Sequence, residues 1–343
     1  MSVFIRACKG EATEHTPIWL MRQAGRYQPD YRALREKVSF LELCKTPELA
    51  AQVTLKAVQD LGVDAAIIFA DILLPLEPLG VGFSFEKGMG PKIHEPIRTS
   101  KQVDAVAEEI DPNESLGYVM ESIRQARSGL DVPLIGFAGA PFTLASYVIE
   151  GKGTRTYYET KKMMFGDTGA WHTLMSKLSR TILDYLNAQI QAGAQAVQLF
   201  DSWIGCLGPR DYKEFVQPHV KMIFDGLDKS VPSIHFGTGN PRLYPLMKEA
   251  GGDVIGVDWR VSIGETWDSL GRDEVAIMGN LDPGLILAPH DVMFAGADRI
   301  LQEVGTSPGH IFNLGHGIMP QASVAQARAL VDHVHAASAR MRG

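Results

Sequence analysis

Short apolar runs alternate with longer amphipathic stretches from one end of this chain to the other. Ile18-Trp19-Leu20-Met21 is the first run; Ala65 to Phe69, Val132 to Ala138, Ala196 to Phe200, Ser233 to Phe236, Val254 to Val257, Val275 to Met278 and His310 to Leu314 follow. Each is strand-like in length and composition. Between them apolar residues recur at helical spacing. Thr46 reads as an N-cap, Pro47 fits the first turn, Leu49, Val53, Ala57 and Leu61 share a face, and Gly62 closes the helix. Leu174, Leu178, Ile182, Leu186 and Ile190 mark another helix, stopping at Gly193. Val103 to Arg127 reads as helical with a break near Asp111-Pro112, Phe142 to Glu150 as a short helix, and roughly Ala322 to Met341 as the last one. Residues 75–98, rich in glycine and proline, predict a β-hairpin or loop excursion, and Gly151-Lys152-Gly153-Thr154 a polar, mobile segment.

Eight strand-like runs separated by helices, with no break in composition, predict an α/β fold. The expected form is a single (β/α)8 TIM barrel over residues 1–343, its active site at the C-terminal ends of the strands. The runner-up is a doubly wound open sheet, which needs a phosphate-binding fingerprint after the first strand. Gly237-Thr238-Gly239 and Gly88-Met89-Gly90 are too short for one, and Gly151-Lys152-Gly153-Thr154 lacks the upstream glycine of a P-loop.

Composition narrows the class of protein. A hydrophobic fraction of 45% and a charged fraction of 21% are those of a soluble globular chain. No run approaches the roughly 18 apolar residues that span a bilayer, and Met1 to Lys9 lacks the core of a signal peptide. Cys8, Cys44 and Cys206 are scattered without paired spacing and read as reduced cytosolic thiols. The net charge of −7 argues against nucleic acid as a partner. It also gives weight to any cluster of arginines, since an acidic chain gathers positive potential where an anion is wanted.

Such a cluster follows the first strand. Arg22 and Arg26 flank Gly25, where glycine permits positive φ or close approach of a ligand. Two planar donor forks here suit a carboxylate or phosphate clamp; the alternative is a pair of ordinary surface arginines. The other strand ends carry Asp71, Asp201-Ser202, His235, Asp258, Asn280 and His316, some of which will cap helices. Asp71 sits inside an apolar run, so its carboxylate is paired, hydrogen-bonded or protonated: either a turn cap or an anion awaiting ligand donors. His316 lies between Gly315 and Gly317, which suggests an approachable imidazole or a phosphate site. Tyr147 faces the mouth or is a core aromatic. His333 and His335, two apart on a helix, point different ways and do not form a metal pair.

The run Met21-Arg22-Gln23-Ala24-Gly25-Arg26-Tyr27 resembles the N-terminal signature of the uroporphyrinogen decarboxylase family. Ala66 to Leu73, Pro133 to Leu144, Gln198 to Ser202, Gly279 to Pro283 and Asn313 to Gly317 resemble further segments of that family, in order from about residue 15 onward. The resemblance implies a cytosolic, usually homodimeric, single-domain barrel that works without metal or organic cofactor. Its substrate would be uroporphyrinogen III, a small tetrapyrrole whose four acetates lose CO₂ to give coproporphyrinogen III; neither nucleic acid nor membrane is involved. It implies substrate contacts at Arg22, Gln23, Ala24, Gly25, Arg26, Phe40, Asp71, Tyr147, Ser202 and His316, with Asp71 and Arg22 catalytic. Position 202 is Thr in some members, so a hydroxyl suffices there. Trp203 stands where other members carry His, and no role passes to it. A related branch of barrel methyltransferases binds zinc through His-x-Cys and a later Cys; His235-Phe236-Gly237 lacks the cysteine, and none follows Cys206. A tetrapyrrole carrier without catalysis is the other alternative.

Overall fold

Seven parallel strands form one curled sheet in a computed structural model that describes residues 2–86 and 90–343. They are β1 (Ala66–Ile67), β4 (Leu134–Gly139), β5 (Ala196–Asp201), β6 (Ser233–Gly237), β7 (Val254–Gly256), β8 (Ala276–Leu281) and β9 (His310–Leu314), each beside the next. The expected excursion is a separate antiparallel hairpin, β2 (Phe83–Glu86) with β3 (Gly90–Ile93). Gly88 and Met89 lie outside the described residues.

Parallel strands are covered on both faces, which is why the runs are apolar throughout rather than alternating. Register sets which side chain faces which way. Phe137 of β4, Phe200 of β5 and Phe236 of β6 meet edge to face in one internal layer, with ring centroids 5.5 and 5.9 Å apart. Their neighbours turn to the helices: His235 brings Nδ1 to 3.2 Å from Met247 O. The helix Thr168–Gln191 buries Leu174, Leu178, Ile182 and Leu186 as its spacing predicts. Gln189 fastens it to the sheet, accepting from Phe137 N–H at 2.8 Å and donating to Phe137 O at 2.9 Å. The helix Pro47–Leu61 starts from Thr46 at the N-cap position and ends at Gly62, φ 66°, but the Thr46 hydroxyl makes no capping bond and donates back to Glu42 O instead.

The first apolar run differs from expectation. Ile18 makes one parallel bridge to Phe312 and no ladder. Pro17 O accepts from Phe312 N–H at 2.8 Å on one side, and Ile18 O accepts from Asp64 N–H at 2.8 Å on the other. Trp19 N–H still reaches Phe312 O at 3.4 Å, but at Met21 the backbone is satisfied by a side chain and a loop: its N–H donates to Asn313 Oδ1 at 3.0 Å, and its O accepts from Ile318 N–H at 2.8 Å. The segment must bend immediately, so it cannot extend a ladder. Gly151-Lys152-Gly153-Thr154 is likewise anchored at its start, with Gly151 O accepting from Ile93 N–H at 2.8 Å. Among the described residues, no helix is long and apolar enough to cross a membrane.

At the N-terminal end of the sheet, Asp64 ties the first run to the last helix. Its carboxylate meets His15 Nε2 at 3.2 Å and His335 Nε2 at 2.7 Å, and accepts from Ile18 N–H at 2.8 Å. His333 turns to Asp298, so the two helix histidines do point apart. Burial opposes the charge on Asp64, but these hydrogen bonds outweigh it and hold the pKa down to about 2. A folded pKa below the unfolded one stabilises the fold above about pH 4, and this stabilisation fades as pH falls toward 2. Asp64→Asn should therefore cost about 2 kcal/mol at neutral pH. Calorimetry across a pH series should show the difference from wild type closing between about pH 4 and 2; a constant difference would mean the charge of Asp64 contributes nothing.

Candidate active site

The bend after the first run decides where its arginines go. Arg22 has left-handed backbone, φ 62°, which costs a non-glycine residue about 1 kcal/mol or more. Neighbouring bonds hold it there. Gln23 N–H donates to Leu20 O at 2.9 Å, the Gln23 amide bridges Leu20 N–H and Ala65 O, and Tyr27 Oη donates to Gln23 O at 2.6 Å. The Arg22 side chain then lies across the bare Cα of Gly317, where a Cβ would stand 2.7 Å from its Cγ and 2.9 Å from its Nε.

This corrects two expectations about glycine. The left-handed residue is Arg22, and Gly25 is not; Gly25 only keeps a Cβ from crowding Arg22 O. Gly315 and Gly317 serve packing first: Gly315 sits against the backbone of Trp259, where a Cβ would be 2.5 Å from its N, and Gly317 beneath Arg22.

Arg22 is exposed to solvent, yet loss of hydration lowers its pKa, with Arg26 adding to the shift while Tyr147 and Asp71 oppose it. Exposure together with desolvation is the mark of a cleft, where protein surrounds a group that water still reaches. Asp71, at the end of the β1 segment, shares the cleft. Desolvation raises its pKa to about 6, against the pull of Leu73 N–H, 2.9 Å from Oδ1, and of Arg22. Arg22 and Asp71 thus feel one another, yet no ion pair within 4.0 Å joins them.

Two neutral groups complete the cleft. Desolvation raises Tyr147 to about 12, with Asp71 adding and Arg22 opposing. Desolvation lowers His316 to about 4, with Arg22 and Arg260 adding and Asp258 opposing. His316 is therefore neutral at physiological pH. Its Nδ1 accepts from Gly317 N–H at 2.8 Å, so the proton resides on Nε2, and the ring offers a single fixed N–H donor.

Over residues 1–337 the chain matches the family model described as "Uroporphyrinogen decarboxylase (URO-D)". Proteins named uroporphyrinogen decarboxylase from Carboxydothermus hydrogenoformans and from Sorangium cellulosum are each 52% identical over 335 residues, covering 97% of this chain and 95% of theirs. The chain belongs to the uroporphyrinogen decarboxylase family. That is a family of carboxy-lyases. In fold the chain is also similar to a methyltransferase from Methanosarcina mazei, with TM-score 0.79, 20% identity and 97% of both chains covered.

The residues implied by the family signature do not all behave alike. Arg22 acts electrostatically on each of Asp71, Tyr147 and His316, and Asp71 acts on Tyr147, so the four gather around the Arg22 guanidinium. Arg26 is exposed beside Arg22, and the Ser202 hydroxyl, partly exposed, has no protein partner among the described residues. Phe40 belongs to an aromatic wall, 6.0 Å from Phe69 and 4.6 Å from Phe85 by ring centroid. Gln23 is buried and its amide is spent on the bend, so its side chain holds the loop; Ala24 and Gly25 are partly buried within the same bend.

Other strand-end polar residues turn into the scaffold. Asp201 accepts from Thr143 Oγ1 at 3.1 Å and is desolvated enough to raise its pKa to about 8. His235 is buried against helix carbonyls, and Asn280 donates to Asp258 O and Val261 O. A groove of about 580 Å3 on the outer wall, lined by Gln28, Tyr31 and Lys56 among others, shares no residue with the cleft.

Sequence reading assigned nothing to Trp203, whose ring stacks 3.9 Å from Tyr147, or to Arg260. Aromatic identity beside a strand-end hydroxyl was the available signal for the first.

Asp71 carries a cost that its replacement would reveal. Because its folded pKa is raised, the folded state binds the proton more tightly than the unfolded one, and wild type gains stability as pH falls from about 6 toward 4. Asp71→Asn, which keeps an acceptor for Leu73, should melt a few degrees higher than wild type above pH 7, with the gain vanishing near pH 4. A lower melting temperature at pH 8 would make Asp71 a structural cap.

Proposed function

We propose that this protein removes CO₂ from the four acetate side chains of uroporphyrinogen III, giving coproporphyrinogen III, as a cytoplasmic, single-domain homodimer that uses no cofactor. The observation that carries the reading is a desolvated carboxylate, Asp71, without an ion-pair partner among the described residues and within the field of Arg22, which also acts on the neutral donor His316, in a member of this family. We further propose that the chain closes as a (β/α)8 barrel with Pro17 to Met21 as its eighth stave. Hydrogen bonds on both flanks, to Phe312 and to Asp64, support that closure.

The chemistry accounts for the residue types. An acetate on a pyrrole cannot lose CO₂ directly, because a carbanion would remain. Protonation of the adjacent ring carbon creates a cationic ring that takes up the electrons. Asp71 accepts the inward pyrrole N–H groups and stabilises that cation, electrostatic preorganisation with the sign opposite to an oxyanion hole. Arg22 and Arg26 grip carboxylates through planar forks, and His316 adds a donor from Nε2. Desolvation makes Arg22 a stronger acid than a hydrated arginine, so it competes with water and a substrate carboxyl as source of the ring proton.

The deciding experiment is anaerobic incubation with uroporphyrinogen III followed by chromatography. Coproporphyrinogen III is expected. Unchanged substrate that co-elutes with the protein would favour a carrier, and activity restored only by added zinc would favour the methyltransferase branch. Among the described residues, the one cluster of three metal-ligating side chains is His15, Asp64 and His335, at the opposite end of the sheet.

Two variants probe the roles. Asp71→Asn should lower turnover by roughly 10²–10³. Wild-type kcat/KM should fall below about pH 6 as Asp71 protonates, an acid limb that the Asn variant lacks. The same acid limb in both proteins would remove Asp71 from the mechanism. Arg22→Lys keeps charge but loses the fork, and should depress kcat/KM by about tenfold or more with little change in melting temperature; wild-type kinetics in that variant would end the clamp assignment.

A further inference from the structure

The loop after β9 rests on the end of β7. Gly315 lies against Trp259 N and Asp258 C so closely that any Cβ would collide. This contact brings Trp259 and Arg260 beside His316, and the charge of Arg260 acts on that imidazole together with the charge of Arg22. His316 therefore stands between two cations, of which only Arg22 belongs to the family signature.

Arg260 is held in a particular way. Its guanidinium lies 4.0 Å over the Trp259 ring. Nη1 alone is engaged, by Asp258 Oδ2 and by Thr238 Oγ1 at 3.3 Å. Asp258 is fully buried and already accepts from Thr238 Oγ1 at 2.6 Å, Gly239 N–H at 2.7 Å and Arg260 N–H at 3.0 Å. The anchor is thus rigid and saturated. Among the described residues nothing accepts from Nε or Nη2, and the side chain is 44% exposed. An arginine fixed by one nitrogen, stacked on one face and open along the rest of its fork is preorganised for a carboxylate.

We infer that Arg260 is a carboxylate-binding residue beside His316, gripping one acid side chain of the tetrapyrrole while His316 donates nearby. The inference rests on the tetrapyrrole reading of the cleft. It adds a cation from a second part of the chain, the end of β7, to Arg22 and Arg26, which both come from one bend.

Equilibrium binding of uroporphyrin III and coproporphyrin III, the stable oxidised forms with eight and four carboxylates, tests it independently of turnover. Binding can be followed by quenching of tryptophan fluorescence. Arg260→Gln should weaken binding about tenfold, and Arg260→Lys should recover part of that loss. Affinity of the Gln variant should also depend less steeply on salt than wild type, a change that loosened packing alone would not produce. Equal weakening for both porphyrins assigns the contact to a propionate; weakening for uroporphyrin alone assigns it to an acetate. Unchanged affinity for both in a folded Gln variant overturns the inference, as does weakening with an unaltered salt dependence. Failure of wild type to decarboxylate would count against the proposed reaction, while these binding arms would still decide Arg260.

Discussion

The crossing of Arg22 over Gly317 is the contact on which the cleft depends. A left-handed residue throws the arginine sideways at the moment the first run ends, and only a residue without a side chain allows it to lie flat across the loop after β9. The two segments come from opposite ends of the sequence, 292 positions apart at the neighbouring bond between Met21 and Asn313. Backbone strain at Arg22 is tolerable because Gln23, buried and doubly hydrogen-bonded, fixes the bend from behind.

The electrostatics of the cleft follow from the same geometry. Desolvation acts on every group in it, lowering Arg22 and His316 and raising Asp71 and Tyr147. No direct ion pair relieves Arg22 and Asp71, and the strain is left for a ligand to resolve. A tetrapyrrole carrying carboxylates outside and N–H groups inside has complementary charge for both. The histidine is a dipole rather than a cation because burial disfavours its charged form, and the charges of Arg22 and Arg260 add to that.

Much of this was legible in the sequence where local periodicity and burial agree. The helix at Leu174, Leu178, Ile182 and Leu186 and the strand His310–Leu314 appear where the pattern put them, because their apolar spacing is also their packing. The motif around Arg22 and the isolated acid Asp71 pointed to the cleft for chemical reasons. What the sequence did not disclose depends on distant partners. That Ile18 would form a bridge and no ladder follows from the bend at Arg22, which no propensity announces. The roles of Gly315 and Gly317 become clear only when Trp259 and Arg22 are seen against them. Arg260 looked like any exposed arginine until the loop after β9 brought it beside His316.

The join between Pro17 and Phe312 also has a consequence for biosynthesis. A ribosome releases the arginine bend well before the residues that hold the first run, Phe312 and Asn313, and the glycine beneath Arg22, since Met21 and Asn313 are 292 positions apart. Until then the first run has unpaired backbone and apolar side chains, the kind of long-range closure that folds slowly and leaves partial chains prone to association. A nascent chain that has not yet reached the loop after β9 thus carries the signature residues without the partners that hold them. Synthesis of that loop is the step that completes the arrangement.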